Sequence, residues 1–273
     1  MTRALSPGLA LTAALAVSGC MHGGDWGGSA FRASVDESRP LAKDGHFSLE
    51  NTNGRVEVAG WDETRVRIEA TKRAGSERSL EELELEITGE GDSLRVRTRH
   101  PRPRFMGGSG RVDYVIHVPR TARVSVENVN GRVEVSGVAG EVEASTVNGS
   151  VEVREAAGEV EARAVNGSVE VALTRLDPEA RSRLRTTNGS VRLTLPEDAS
   201  AEIEARTVNG SVGCDFDLDG SRKTRRKLEG RIGAGGARFE LATVNGSVNI
   251  DRGLEARSAR RQPAEASPEA PGR

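Results

Sequence analysis

Apolar and charged residues alternate along the centre of the chain, between residues 129 and 171. The triplets VEV and VEA recur there, and a glycine separates successive triplets every nine residues. Because successive side chains of a strand point to opposite faces, one face of each strand would be Val and Ala and the other would be Glu. Alternation of this kind, interrupted by glycine, predicts short half-buried strands joined by tight turns.

Asn-Gly pairs mark the turns of this repeat. Three of them lie 18 residues apart in the central block, and the same N-G-[RS]-V pattern recurs on both sides of it. Asn and Gly accept positive φ more readily than other residues, so a sharp turn and a structural role are expected at each pair. The seven pairs are Asn53 and Gly54, Asn130 and Gly131, Asn148 and Gly149, Asn166 and Gly167, Asn188 and Gly189, Asn209 and Gly210, and Asn245 and Gly246.

Two all-β folds fit this pattern. A parallel β-solenoid would stack equivalent residues one coil apart and place Asn130, Asn148 and Asn166 in a ladder whose amides can bond to one another. An antiparallel β-meander with Asn-Gly hairpins would also give one apolar face. The alternation of residues does not decide between the two folds.

The composition of the 273-residue chain limits what it can do. Its 39 basic and 41 acidic residues give a net charge of −2, so the whole molecule has no bias towards nucleic acid. Aromatic residues make up only 3%, which suits a narrow core of stacked Val, Leu and Ala. Of the two cysteines, Cys214 shares the parity of Val212 and Phe216, so we expect a buried apolar residue there rather than a reactive thiol.

The first 20 residues have the pattern of an export signal. Arg3 is followed by an apolar run and then by Val-Ser-Gly-Cys, which resembles the lipobox of bacterial lipoproteins. That resemblance implies cleavage before Cys20, lipid attachment (palmitate included) to Cys20, and a cell-envelope location on the membrane. Because Met21 stands where a retention signal would have Asp, the resemblance implies the outer membrane. The predicted organisation is a signal peptide over 1–19, a lipidated and flexible tether over 20–44, a repeat domain over 45–252 and a disordered tail over 253–273.

The order of motifs over about residues 45–250 resembles the Toastrack family of adhesin-like bacterial envelope proteins. The resemblance rests on NTNGRVEVAGWDETRV, YVIHVPRTARV, the TVNGSVEV units, TTNGSVRLTLPEDASAEI and GAGGARFELATVNGSV. It implies a right-handed parallel β-helix outside the cytoplasm, and it assigns no catalytic residues. Together with the residue pattern it favours the solenoid over the meander.

Candidate chemistry is sparse. The four histidines are far apart in sequence, no serine lies in a nucleophile elbow, and the central turns lack the Asp that calcium-binding β-rolls need, so no catalytic residue, metal site or cofactor is predicted. These features indicate a non-enzymatic interaction or structural module. The alternative is a carbohydrate-active β-helix enzyme, since such folds use acidic or basic groups in a groove.

Charged segments indicate possible partners. Eight glutamates between 132 and 170 predict an acidic face, for which a solvated surface is the simplest explanation. Residues 95–111 have a net charge of +6 and residues 222–231 a net charge of +5. Clusters of this kind suit anionic envelope polymers or lipid head groups, and the export signal disfavours nucleic acid.

Overall fold

The computed structural model describes residues 31–99 and 110–253. Within these ranges it contains twenty strands and one short helix. The elements are β1 (Phe31–Asn53), β2 (Val56–Trp61), β3 (Arg65–Ala74), α1 (Glu77–Glu81), β4 (Glu84–Thr88), β5 (Gly91–Arg99), β6 (Arg111–Pro119), β7 (Arg123–Asn130), β8 (Val133–Ser136), β9 (Val142–Asn148), β10 (Val151–Ala156), β11 (Val160–Asn166), β12 (Val169–Leu173), β13 (Arg181–Asn188), β14 (Val191–Leu195), β15 (Ala201–Asn209), β16 (Val212–Cys214), β17 (Asp219–Lys223), β18 (Lys227–Ile232), β19 (Ala237–Asn245) and β20 (Val248–Arg252).

The strands form two ladders that face each other. The first, which we call the asparagine sheet, contains the second half of β1 and then β7, β9, β11, β13, β19 and β15, all of which end in Asn. The second, the serine sheet, contains β2, β8, β10, β12, β14, β20 and β16, most of which follow an Asn-Gly-Ser sequence. Each coil therefore passes from the asparagine sheet through an Asn-Gly turn into the serine sheet.

The pairing confirms the parallel β-solenoid. Val151 lies beside Val133 and Val169, and Ala162 lies beside Ala144, in parallel register. The antiparallel meander is therefore wrong for the repeat. Antiparallel pairs occur at the two ends of the stack, where β3, β4 and β5 cover one end and the β17–β18 hairpin covers the other.

The core lies between the two sheets and follows from the alternation. The inward Val and Ala of the central triplets are at most 2% exposed. Burying each valine contributes about 1.5–3 kcal/mol, so stacked small residues stabilise the centre without aromatic side chains. The buried aromatic residues lie towards the ends of the stack, with Phe47 and Tyr114 at one end and Phe216 and Phe239 at the other.

The structure corrects the predicted start of the domain. Residues 31–40 of β1 pair with β3 in ten consecutive register positions, from Phe31 opposite Ala74 to Pro40 opposite Arg65. The tether expected over 20–44 therefore does not extend past residue 30. Alternating intermediate and exposed positions in this segment give it a strand pattern that its polar composition hides. The predicted signal peptide, Cys20 and the predicted tail over 253–273 lie outside the described residues, except for Gly253.

The last two coils are stacked in the reverse of their chain order. β13 pairs with β11 on one side and with β19 on the other, whereas β15 pairs with β19 and β18. The chain therefore forms the end coil first, turns through the β17–β18 hairpin and returns to fill the space left beside β13. The spacing of the Asn-Gly pairs does not show this exchange.

Candidate functional site

The seven glycines of the Asn-Gly pairs form one column in which the coils approach closely. Six of them have φ between +130° and +155°, and the exception is Gly210 at the end of the stack. A Cβ added to Gly149 would meet the carbonyl oxygen of Gly131 at well under 3.0 Å, and a Cβ on Gly167 would meet that of Gly149 in the same way. The glycines therefore serve both the turn and the stacking distance between coils.

The seven asparagines form a continuous amide ladder beside this column. Each Nδ2 donates to the Oδ1 of its neighbour at 2.7–2.9 Å. The last donor, Asn53 Nδ2, reaches the carbonyl oxygen of Gly110 at 3.3 Å. The structure thus places the asparagines in structural hydrogen bonds with one another, and the ladder leaves few amide groups free for a ligand.

A third column lies two residues before each asparagine and points inward. Thr146, Thr186, Thr243 and Thr207 each donate a hydroxyl hydrogen bond of 2.7–3.1 Å to a glycine carbonyl in the adjacent coil. Asn128 makes the corresponding bond to Gly54 through its side-chain amide at 2.9 Å. Ala164 occupies the same column, and no side chain in the described part of the chain donates to the Gly149 carbonyl that it faces.

Between the threonine and asparagine columns, a row of outward valines follows the stack. Five of the seven coils have Val at this position, and each of these valines is 38–55% exposed. We call this row the valine ridge; its members in stacking order are Val129, Val147, Val165, Val244 and Val208. Sequence reasoning missed it because the alternation was interpreted as one apolar inner face and one charged outer face.

A groove of about 550 Å³ runs beside the valine ridge on the asparagine sheet. Its other wall is the outward column three residues before each asparagine, which contains Arg163, Arg185 and Arg206 together with the shorter Ser145 and Ala242. The described residues that line the groove include no carboxylate.

The two predicted basic segments differ in how much of their charge is free. In 95–111, Arg95 and Arg97 pair with Glu50, Arg99 pairs with Glu86 and Arg111 pairs with Asp113, while 100–109 lie outside the described residues. Three carboxylates therefore offset the charge of the four arginines of this segment that the structure describes, and two of them, Glu50 and Glu86, come from other strands.

In 222–231 the charge is less offset. This segment forms most of the β17–β18 hairpin, and Lys227 pairs with Glu229 at 2.5 Å. Lys223, Arg225 and Arg226 at its exposed tip form no ion pair with a described residue. We call residues 223–227 the basic tip.

The predicted acidic face is divided between surfaces. Glu134, Glu152 and Glu170 stack outward on the serine sheet, whereas Glu143 and Glu161 stack outward on the asparagine sheet. Arginines offset the repulsion within each stack, as Arg132 lies 3.1 Å from Glu134 and Arg163 pairs with Glu161. A single acidic face was therefore the wrong interpretation, because outward residues of a solenoid belong to two opposite sheets.

A second groove, of about 570 Å³, is lined by charged residues of both signs at the end of the stack that the β17–β18 hairpin covers. Its glutamates are paired, since Glu202 lies 2.8 Å from Arg238 and Glu240 lies 2.7 Å from Arg185 and 3.6 Å from Arg183, whereas Asp219 forms no ion pair with a described residue. The hydrogen bond from Lys227 lowers the pKa of Glu229, which also lines this groove. The lowered pKa favours the ionised form of Glu229, whereas a general acid of a glycosidase needs a raised pKa.

The described residues were also compared with three other kinds of site: a metal centre, a membrane-spanning helix and a reactive thiol. No group of three or more His, Cys, Asp and Glu in 31–99 and 110–253 is arranged to hold a metal ion. In the same residues, no helix has the length and hydropathy to cross a membrane. Cys214 is half-buried, and burial raises the pKa of its thiol, so the thiol form dominates at neutral pH.

Comparison with known protein families identifies the family of this chain. The family model of Toastrack DUF4097 matches residues 43–251, which confirms the resemblance expected from the motifs. A search of curated proteins found no match.

The solved structures found by comparison share little sequence with this chain. A "putative cell adhesion protein" from Clostridium sporogenes is 11% identical, with 81% of this chain and 100% of that chain covered and a TM-score of 0.39. A "putative adhesin" from Bacteroides fragilis is 10% identical, with coverage of 80% and 96% and a TM-score of 0.42. A "putative lipid binding protein" from Parabacteroides distasonis is 11% identical, with coverage of 81% and 97% and a TM-score of 0.28.

Proposed function

We propose that this chain, which belongs to the Toastrack DUF4097 family, is a lipid-anchored protein of the cell envelope whose solenoid serves as a non-enzymatic interaction module. The observation that supports a module most directly is the continuity of its surface. The same outward columns run along most of the stack, so the exposed faces are long and regular. A surface of this form suits an extended partner better than a small substrate.

The anchor is proposed from the sequence around Cys20. A thiol that follows an apolar run and Val-Ser-Gly is the expected lipid attachment point, and several acyl chains on one residue give stable anchoring. Residues 21–30 separate Cys20 from β1, and ten residues span at most about 35 Å. The solenoid would therefore work within that distance of the membrane surface, which we propose is the outer membrane.

The experiment that tests the anchor uses metabolic labelling with a fatty-acid probe. The wild-type chain should be labelled and processed, whereas Cys20→Ala should lose the label and accumulate as precursor. Cys214→Ala, the matched control for the other cysteine, should be labelled like the wild type. Persistent labelling of Cys20→Ala would refute the lipoprotein proposal.

The module is tested by recovering partners from envelope fractions with the purified mature chain. An envelope polymer or protein should be retained at moderate salt. Retention should decrease when Arg225 and Arg226 of the basic tip are both replaced by Ser, if the partner is anionic. A chain that retains nothing from its own envelope would contradict an adhesin-like role.

A second candidate function has one observation in its favour, the groove that gathers Glu202, Glu240 and several arginines. If the protein were a carbohydrate-active enzyme, incubation with envelope polysaccharide would release new reducing or unsaturated ends. We expect no such release. Release that disappears in Glu240→Gln would establish the enzyme instead.

A further inference from the structure

The valine ridge has an apolar character that the fold does not require. Thr52 and Thr187 occupy the same outward column, so a hydroxyl is compatible with this position and is equally suited to a strand. Isolated exposed valines are ordinary on protein surfaces, and Val115 is one of them at 40% exposure. Four exposed valines along one groove are not isolated, and contiguous apolar surface usually marks a binding site.

The groove has the dimensions of a site for one extended chain. Its lining residues come from six strands of the asparagine sheet, and at about 4.8 Å per strand its length is about 24 Å. Its walls are side chains two positions apart on each strand, which places them about 7 Å from each other. Its volume of about 550 Å³ lies within the usual range for small-molecule sites.

The lining of the groove is amphipathic. Valines form one wall, and the aliphatic stems of Arg163, Arg185 and Arg206 contribute to the other while their guanidinium groups stay exposed. Arg185 and Arg206 share one carboxylate, since Glu240 Oε1 lies 2.7 Å from Arg185 and 3.3 Å from Arg206. Arg206 also lies 3.9 Å from Glu204, and Arg163 pairs with Glu161, so the excess positive charge near this groove comes from the basic tip.

Positive charge increases towards one end of the groove. Arg206 is the register partner of Lys227, and Thr207 donates its backbone N–H to the carbonyl oxygen of Arg226. The basic tip therefore lies next to Val208, the last and most exposed valine of the ridge. The groove thus leads from an apolar stretch into a cationic end.

We propose that this groove binds one acyl chain of an anionic lipid. The acyl chain would lie along the valine ridge, and the anionic head group would lie at Arg206 and the basic tip. Charge complementarity supports the head group, and the apolar wall of the groove supports the chain. The hydroxyl groups of a glycan would find no hydrogen-bond partners on the valines. A nucleic acid would need cations along the whole length of the groove. This inference rests on the proposed envelope location, where such lipids are abundant.

The test measures binding of lysophosphatidylglycerol, which has one acyl chain and an anionic head, below its critical micelle concentration by isothermal titration calorimetry. The protein is the chain from Met21, which keeps every residue of the described core and omits the signal sequence. The informative variant is the double substitution Val165→Thr with Val244→Thr, because Thr already occupies the same column twice. Val115→Thr, at a matched exposure of 40% on β6 and away from the groove, is the control.

We expect the double variant to bind about tenfold more weakly, from the loss of two buried methyl groups, while Val115→Thr binds like the wild type. Lysophosphatidylcholine, which has a zwitterionic head, should bind more weakly than lysophosphatidylglycerol, and Arg206→Gln should reduce that difference. Thermal unfolding of each variant shows whether the fold is kept.

Three results would overturn the inference. These are no binding of monomeric lipid, binding only to phosphatidylglycerol vesicles, and equal weakening by the ridge and control substitutions. Vesicle binding alone would indicate a membrane-surface contact instead of a chain in the groove. Each of these results would leave the lipid anchor and the interaction module standing, because labelling at Cys20 and recovery of partners test them separately.

Discussion

Replacing Gly149 by Ala adds the smallest possible side chain to the closest contact between coils. Gly149 has a φ of +155°, and an added Cβ would overlap the carbonyl oxygen of Gly131 in the adjacent coil. That oxygen is backbone, so it can move away only if the two coils separate locally. The hydrogen bonds from Gly131 N to Asn148 O at 2.8 Å and from Gly149 N to Asn166 O at 3.0 Å lie at this point.

The expected cost has two parts. A side chain in this backbone conformation costs about 1–3 kcal/mol of strain. Weakening two hydrogen bonds of the stack costs about 0.5–1.5 kcal/mol each. We therefore expect Gly149→Ala to lower the free energy of unfolding by about 2–6 kcal/mol.

Two other glycines separate these contributions in urea unfolding experiments. Gly220 has a φ of +61° and open space around its Cβ position, so Gly220→Ala should cost only the strain, about 1–2 kcal/mol. Gly75 also has open space and does not have a positive φ, so Gly75→Ala should change stability by less than about 0.5 kcal/mol. If Gly149→Ala costs no more than Gly220→Ala, the close approach of the coils does not limit the sequence at this column.

Three further predictions concern single positions. Ala164→Thr should stabilise the chain by about 0.5–1.5 kcal/mol in urea melts, because its hydroxyl can donate to the Gly149 carbonyl as the other threonines of the column do; a loss of stability would mean that the site cannot hold the extra atoms. Glu155 is the one described non-glycine residue with positive φ, at 53°, so Glu155→Gly should gain about 0.5–1 kcal/mol after the entropy cost of glycine, and no gain would show that the corner is unstrained. The hydrogen bond from Arg95 lowers the pKa of Glu50 below its usual 4.5, so this carboxylate stabilises the fold above that pH and the contribution disappears as the pH falls through the lowered value. Glu50→Gln should therefore make the acid-unfolding curve less steep, and an unchanged curve would contradict the assignment.

The repeat itself could be predicted from residues because local rules and the fold agree there. Alternation of Val and Glu fixes which side chains face inward, and Asn-Gly fixes where the chain turns. Neither rule distinguishes a hairpin from a coil, since Ala144 lies on the apolar face in both arrangements. The family resemblance supplied that decision, and the parallel register of Ala144 with Ala162 confirms it.

The ends of the domain could not be predicted in the same way. Residues 31–40 contain few apolar side chains, and they form a strand because β3 offers an edge to pair with, which is a property of another segment. The charge of 95–111 is likewise changed by distant residues, since Glu50 lies 45 positions before Arg95 and approaches it only when β1 and β5 pair. Net charge along a sequence therefore overstates the charge that a partner would meet.

The candidate groove depends both on the local residue pattern and on the pairing of segments that are distant in sequence. Its apolar wall is visible in the sequence as the Val before Asn, but the residue types invert there. The inward–outward alternation of the strand continues, so the polar Thr146 points inward and the apolar Val147 points outward beside the Asn ladder. Its cationic end depends on the exchange of the last two coils, because Val208 lies at the end of the ridge, beside the basic tip, only if β15 stacks outside β19. In chain order, the coil of Val244 would have been outermost and the ridge would have ended away from Lys227. The position of the cationic end of the proposed lipid site therefore results from the stacking of β15 outside β19.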